Sequence, residues 1–167
     1  SMLALKINDI KAFMNQLLIR DTFDFFSLVE ASITTFNHFT VDGALHMDFF
    51  DTDTRTSLQE KGLVYSSWKD VKAYCYSIIR GKLPPVQFRF VFQLTPSQLS
   101  LITSDAYTLS EDLIRGLVLN LQYKNSELLC TTGISFRTFT MDKTPENRWD
   151  TVITNFLCSH QIDFDRL

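Results

Sequence analysis

The sequence predicts an α+β fold in which helices pack on a mainly antiparallel sheet. Three observations predict this class: some segments alternate apolar and polar residues, others repeat apolar residues at helical spacing, and the two kinds follow one another along the chain. Of the 167 residues, 45% are hydrophobic and 21% are charged, as in an ordinary folded domain. We expect a single domain over residues 1–167, because one hydrophobic core extends to roughly 250 residues before chains divide.

The N-terminal elements are predicted from local apolar patterns. The short apolar run Leu3–Ile7 predicts a strand. Asn8 is a candidate N-cap for a helix, since Ile10 and later apolar residues recur at helical spacing. β-Branched and aromatic residues then favour a strand over residues 25–36. The polar stretch 51–62 is interpreted as a loop.

The middle of the chain contains the clearest helix and the clearest strand. Ser67 and Asp70 have the spacing of an acidic capping box, and Gly81 supplies a stop signal for the helix that follows. Two prolines after the glycine prevent a return to helix. Residues 86–94 alternate strictly, so one face of the predicted strand is wholly apolar and the other carries Arg89 between two glutamines.

The C-terminal elements follow from caps and alternation. Residues 95–98 combine an N-cap threonine, a proline at the first helical position and a glutamine that closes the box, which predicts a short helix. Alternation predicts strands over residues 117–123 and 128–141, the second interrupted near Gly133. Thr144 begins a last helix whose apolar residues recur at helical spacing.

The predicted order β-α-β-β-α occurs twice, in residues 2–81 and in residues 86–167. The first helices of the two halves begin at Asn8 and Thr95, which are 87 residues apart. We interpret this order as a pseudo-repeat, although α+β chains often alternate in this way without internal symmetry. Similar halves occur in clamp-like and saddle-like folds, which makes a nucleic-acid-associated protein one alternative function.

Several function classes lack their sequence signatures. No glycine-rich phosphate loop or nucleophile motif is present, and the spacing of Cys75, Cys130 and Cys158 matches no metal or redox motif. We therefore expect no cofactor, and an enzyme is not favoured. The net charge of −3 makes nucleic acid an unfavourable partner. No apolar run reaches the ~18 residues of a membrane span and no signal peptide is evident, so we expect a cytoplasmic protein without membrane contact.

One polar cluster contains residue types that bind metals. His38, Asp42, His46 and Asp48 lie close in sequence, and two histidines with a carboxylate can bind Zn²⁺ if they converge. A two-residue turn at Asp42 and Gly43 would place the histidines on opposite faces. A three-residue turn with Gly43 in the left-handed conformation would pair His38 with His46 and place Asp48 beside them. The apolar pattern favours the second register, so a small metal-dependent enzyme is another alternative.

Phenylalanine is unusually frequent, with 15 residues. The group between Phe23 and Phe50 is difficult to bury all at once. Phe25 and Phe26 would point to opposite faces if both belonged to one strand. Apolar residues on both faces indicate either a sheet that is covered on both sides or an exposed patch that binds a partner.

Two stretches resemble a known family. Residues 29–43 (VEASITTFNHFTVDG) and 130–149 (CTTGISFRTFTMDKTPENRW) resemble an uncharacterised family of clostridial Firmicutes proteins, and the resemblance covers nearly the whole chain. It implies a bacterial cytoplasmic protein of unknown function, and it supplies no catalytic residues.

The leading prediction is a non-enzymatic binding or interaction module. Its expected partner is a second copy of the chain, in a homodimer, or another protein. The candidate ligand or interface residues are His38, His46, Asp48 and Arg89.

Overall fold

An eight-stranded antiparallel sheet forms the centre of the fold. The structure is a computed structural model that describes residues 3–104 and 109–167. In chain order the strands are β1 (Ala4–Ile7), β2 (Ser27–Thr34), β3 (His38–Asp42), β4 (Ser66–Ser67), β5 (Gln87–Leu94), β6 (Ile114–Lys124), β7 (Glu127–Phe136) and β8 (Phe164–Arg166). They lie in the order β3-β2-β5-β6-β7-β1-β8, and the short β4 pairs with the start of β2.

Helices cover one face of this sheet. The covering helices are α1 (Ile10–Leu18), α3 (Trp68–Ile79) and α4 (Thr144–Ser159). A further helix, α2 (Thr52–Glu60), has no buried residue, and 3₁₀ turns lie at Met47–Phe49 and Pro96–Leu101. Buried side chains of α1, α3 and α4 join one core cluster with the apolar face of the sheet. The indole N–H of Trp68 donates to the Leu17 carbonyl at 2.8 Å, which fixes α3 against α1.

The strand predicted most clearly from alternation occupies the middle of the core. Phe88, Phe90, Phe92 and Leu94 of β5 are buried, whereas Gln87 and Arg89 are exposed on the other face. Full burial of each such apolar side chain contributes about 1.5–3 kcal/mol. The polar face continues into the neighbouring strands, where Arg89 lies opposite Ser32 of β2 and Gln122 of β6.

The predicted α+β class with a mainly antiparallel sheet is confirmed. The strands expected at the N-terminus and over residues 86–94, and the helices after Ser67 and from Thr144, form close to their predicted bounds. The capping box at Thr95 and Gln98 also forms, but it begins a six-residue 3₁₀ turn. The N-cap of α1 is Asp9 instead of Asn8, because its carboxylate accepts from the Ala12 N–H at 3.0 Å.

The interpretation of residues 51–62 as a loop was wrong. This stretch contains α2, and the Asp51 carboxylate caps it by accepting from the Thr54 N–H at 2.7 Å. No residue of α2 is buried. Apolar periodicity therefore could not reveal this helix, whereas its N-cap signal was present in the sequence.

The predicted hairpin around Gly43 was also wrong. The turn between β2 and β3 lies at residues 35–37, where the Thr35 N–H donates to the Asn37 carbonyl at 2.8 Å. Gly43 instead continues along β2, donating its N–H to the Val29 carbonyl at 2.9 Å, and its φ is not positive. A Cβ at this position would overlap the Leu28 carbonyl, so close backbone approach explains the glycine.

Two further element boundaries differ from the prediction. Strand β2 begins at Ser27, not at residue 25. Phe23 and Phe26 lie in a turn before β2 and are fully buried, because this turn folds into the helix-covered core. Strand β7 ends at Phe136 and runs through Gly133 without interruption, since Gly133 pairs with Val118 in the ladder.

The pseudo-repeat is not confirmed by the sheet order. In the second half β5 lies directly beside β6, whereas in the first half β1 is separated from β2 and lies between β7 and β8. Strands of the two halves therefore interleave in one sheet. Within residues 3–104 and 109–167, no helix combines the length and the hydrophobicity needed to cross a bilayer.

Candidate functional site

The structure separates the two predicted histidines. His38 begins β3, opposite Thr34 of β2, and its Nδ1 lies 2.8 Å from the Thr34 hydroxyl oxygen. His46 and Asp48 lie beyond the end of β3, at the 3₁₀ turn. Because β3 pairs with β2, neither predicted register of a hairpin around Gly43 forms. The described part of the chain contains no group of three or more His, Cys, Asp or Glu residues that could hold a metal ion.

Arg89 belongs to a polar cleft on the open face of the sheet. Its guanidinium donates to the Glu30 carboxylate at 3.1 Å, and both side chains are about half exposed, so the pair adds little stability. The cleft has a volume of about 530 Å³ and is lined by these two residues together with Ser32, Thr40 and Tyr65. Of the predicted His/Asp cluster, Asp42 also lines the cleft, whereas His38, His46 and Asp48 do not.

A second cavity is apolar and is bordered by unusually exposed side chains. It has a volume of about 510 Å³ and lies where the β2–β3 turn meets the end of α3 and the segment before β5. Phe36 is 90% exposed, Leu83 83% and Val86 66%. We call this cavity the apolar groove and define it by Phe36, Ile79, Leu83 and Val86.

Backbone contacts hold the walls of the apolar groove. The Val86 N–H donates to the Thr34 carbonyl at 2.8 Å and attaches the segment before β5 to β2. Pro84 and Pro85 restrict the backbone of that segment. Across the turn, the rings of Phe36 and Phe39 meet edge to face at 6.4 Å. Backbone hydrogen bonds therefore join the segments that carry Phe36 and Val86 to the edge of the sheet.

The charge at the apolar groove is positive. Arg80 and Lys82, both exposed, are the charged residues that line it. The hydroxyl oxygen of Thr35, also in the lining, is buried and has no hydrogen-bond partner among the described residues. The groove therefore combines an apolar surface with two cations.

An acidic, aromatic protrusion lies beyond the other end of β3. We call residues 48–51 (Asp-Phe-Phe-Asp) the acidic turn. Phe49 is 85% exposed, and its ring meets that of Phe50 edge to face at 5.3 Å. Arg55 braces the turn, because its guanidinium donates to the Met47 carbonyl at 3.1 Å and to the Phe50 carbonyl at 3.0 Å. Hydrogen bonds from Thr54 lower the pKa of Asp51, so this carboxyl is negatively charged at neutral pH.

A partly buried carboxyl lies between α4 and β7. Burial raises the pKa of Asp150, and the hydrogen bond from the Thr132 hydroxyl opposes this effect. Thr132 also accepts the Leu3 N–H at 3.2 Å, which joins α4, β7 and the N-terminal segment. We interpret this network as structural, because Thr132 uses its hydroxyl in both contacts.

Sequence reasoning included Phe36 in its aromatic group and missed Leu83. It placed Val86 on the apolar face of the strand 86–94, but β5 begins at Gln87 and Val86 is exposed. Their signal was present: two apolar residues flank a pair of prolines directly after a helix stop, where neither helix nor central strand can form. Such residues have no regular element to bury them.

Comparison with known proteins gives a family and no function. A family model described as a family of unknown function, DUF5721, matches residues 16–165. The chain belongs to this family. No curated protein and no solved structure matches it. The match to DUF5721 begins within α1 and ends within β8, so it includes both the apolar groove and the acidic turn. The clostridial origin that the resemblance implied stays a prediction.

Proposed function

We propose that this protein is a non-enzymatic interaction module that binds an apolar, acidic protein segment in the apolar groove. The convergence of Phe36, Leu83 and Val86 on one cavity carries the proposal. Single exposed apolar residues are normal, but adjacent ones that share a cavity typically mark an interaction site.

We also propose a cytoplasmic location, since Cys75 and Cys130 are buried free thiols, the state that a reducing compartment maintains.

The energetics favour a partner with these properties. Covering an exposed Phe or Leu side chain contributes about 1.5–3 kcal/mol each. Arg80 and Lys82 would attract the acidic residues of the partner and exclude basic segments.

Site-specific cross-linking tests this proposal. A photoreactive phenylalanine analogue replaces Phe36 in one variant and Leu83 in another, and the protein is cross-linked in its own cells. We expect both positions to attach to the same acidic, apolar segment of one partner. Phe139 is the matched control, because it is 90% exposed but lies in the loop after β7, outside the groove. Equal cross-linking from Phe139, or scattered products from all three positions, would contradict the proposal.

The polar cleft supports a second candidate function, the binding of a small hydroxylated ligand at Arg89. The guanidinium, the Glu30 carboxylate and the hydroxyls of Ser32 and Thr40 line one cavity, which supplies both donors and acceptors. Thermal unfolding in the presence of sugars and hydroxy acids tests it. A stabilising compound should lose its effect in Arg89→Gln and keep it in Arg115→Gln, which changes an exposed arginine outside the cleft.

A further inference from the structure

Among the strands of the described residues, β3 is an edge strand with one unpaired side. It is the terminal strand in the sheet order and has β2 as its strand neighbour. The Gly43 N–H points toward β2, so by the two-residue period of a strand the backbone groups of Thr40 point outward. Edge strands of this kind can pair with another strand unless charge or a bulge prevents it.

The sequence of β3 is complementary to itself. If two copies of β3 pair antiparallel about a two-fold axis at Thr40, His38 of each copy lies opposite Asp42 of the other. Phe39 then lies opposite Val41 of the second copy. The pairs combine a base with an acid on the polar face and two half-buried apolar residues on the other face, and such cross-strand pairs stabilise a sheet.

The same two-fold axis brings the acidic turn toward the apolar groove. The groove lies at the start of β3 and the acidic turn lies beyond its end, separated by a strand about 17 Å long at ~3.3 Å per residue. Antiparallel pairing places the end of each strand beside the start of the other. The segment that follows β3 in each copy therefore begins beside the second copy's groove, and by symmetry this occurs twice.

The acidic turn and the apolar groove are chemically complementary. Asp48 and Asp51 flank the pair Phe49 and Phe50, of which Phe49 is exposed. The groove is apolar with the cations Arg80 and Lys82 at its margin. The two carbonyl contacts of the Arg55 guanidinium support the turn. A preorganised protrusion loses less entropy when it binds.

We propose that the partner of the apolar groove is a second copy of this chain, in a two-fold dimer formed by antiparallel β3 strands with each acidic turn in the other copy's groove. This inference rests on the proposed function, because it names the occupant of the same groove. Thr40 marks the symmetry axis, and Phe49 and Leu83 mark the two sides of the outer contact.

Charged residues introduced at the two-fold axis test whether the two β3 strands pair. Thr40→Lys and Thr40→Glu each place like charges opposite each other, and Thr40 is exposed, so neither substitution disturbs the core. By sedimentation velocity we expect a wild-type dimer, an association at least about tenfold weaker for each variant alone, and recovery of a dimer in an equal mixture of the two. A wild type that stays monomeric at all concentrations, or single variants that dimerise as the wild type does, would falsify the dimer.

A complementation experiment tests the outer contact. Phe49→Ser removes the protrusion and Leu83→Ser removes a groove wall, so each should weaken the dimer at least about tenfold. The mixture should recover part of the association, because one variant keeps its groove and the other its turn. Phe139→Ser is the exposed control and should dimerise normally. Dimers of unchanged affinity in Phe49→Ser or Leu83→Ser overturn the assignment of the groove's occupant.

Failure of the dimer and failure of the proposed function give different results. If the wild type is monomeric while Phe36 and Leu83 cross-link to one acidic segment of another protein, the dimer is overturned and the interaction module stands. If the same positions cross-link no more specifically than Phe139, the proposed function is overturned as well.

Discussion

At the scale of single residues, the three cysteine thiols differ in burial. Burial raises the pKa of Cys75 to about 11 and that of Cys130 to about 12, whereas Cys158 is exposed near the end of α4. Because the thiolate is the reactive species, the two buried cysteines are protected both by sterics and by their protonation.

This difference predicts selective thiol labelling. We expect a thiol reagent such as dithionitrobenzoate to modify one cysteine of the native protein rapidly and all three in denaturant. Peptide mapping should locate the native label at Cys158, and Cys158→Ser should abolish the fast phase. Fast labelling of Cys75 or Cys130 in the folded protein would contradict the buried arrangement.

Asp150 gives the stability of the protein a definite pH dependence. Burial raises its pKa, so ionisation is less favourable in the folded than in the unfolded chain. For a carboxyl with a raised folded pKa, the contribution to stability falls as pH rises from the ordinary carboxyl range through the raised value.

Asp150→Asn should remove this contribution, because the amide oxygen still accepts from Thr132 but carries no charge. We expect the variant to be more stable than the wild type at neutral pH and to lose that advantage below the ordinary carboxyl pKa of about 4. Urea unfolding across this range measures the difference. A constant difference at every pH would show that the charge of Asp150 is not responsible.

At the scale of elements, β3 depends on a glycine that follows it. Gly43 lies against the backbone of Leu28 and Val29, where a side chain has no room. Gly133 provides a contrast, since it lies inside β7 and a Cβ there would meet nothing within 4 Å.

Gly43→Ala should therefore destabilise the protein by about 3 kcal/mol or more, because strand backbone must move to admit the methyl group. Gly133→Ala should be neutral or stabilising by up to about 1 kcal/mol, since alanine costs less entropy than glycine in a strand. Denaturant titration of both variants checks the pair. Similar effects at the two positions would contradict the close approach at Gly43.

Elements with an amphipathic pattern or a complete cap could be predicted from the sequence. The choice of neighbouring strand for β3 could not. The alternation in β5 and the capping box at Thr95 act within a few residues of sequence, so both could be recognised locally. The partner of β3 could not, because the segments before and after it both carry suitable apolar residues. Helix α2 was missed because its polar surface contributes nothing to the core.

At the scale of the whole molecule, strands from the two ends of the chain pair with each other at one edge of the sheet. β1 lies between β7 and β8, with Leu5 opposite both Cys130 and Arg166. These contacts join residues that are distant in sequence, which is typical of domains that fold slowly and unfold as one unit.

Leu5→Ala tests this coupling, because Leu5 is fully buried in the core. We expect a loss of about 2–5 kcal/mol in the free energy of unfolding with an unchanged denaturant dependence. Leu101→Ala is the control, since Leu101 is exposed and should change stability by less than about 0.5 kcal/mol. An unfolding intermediate in Leu5→Ala would show that the N-terminal strand opens separately.

The fold class, the apolar face of β5 and the helices with a buried face could be predicted from the chain alone, because they depend on periodicity and caps within a short window. The pairing of β3 with β2, the separation of His38 from His46, and the burial of Phe23 and Phe26 but not of Phe36 became visible only in the folded chain. Strand pairing and burial depend on which distant segments pack together, and the apolar groove exists only where three such segments meet.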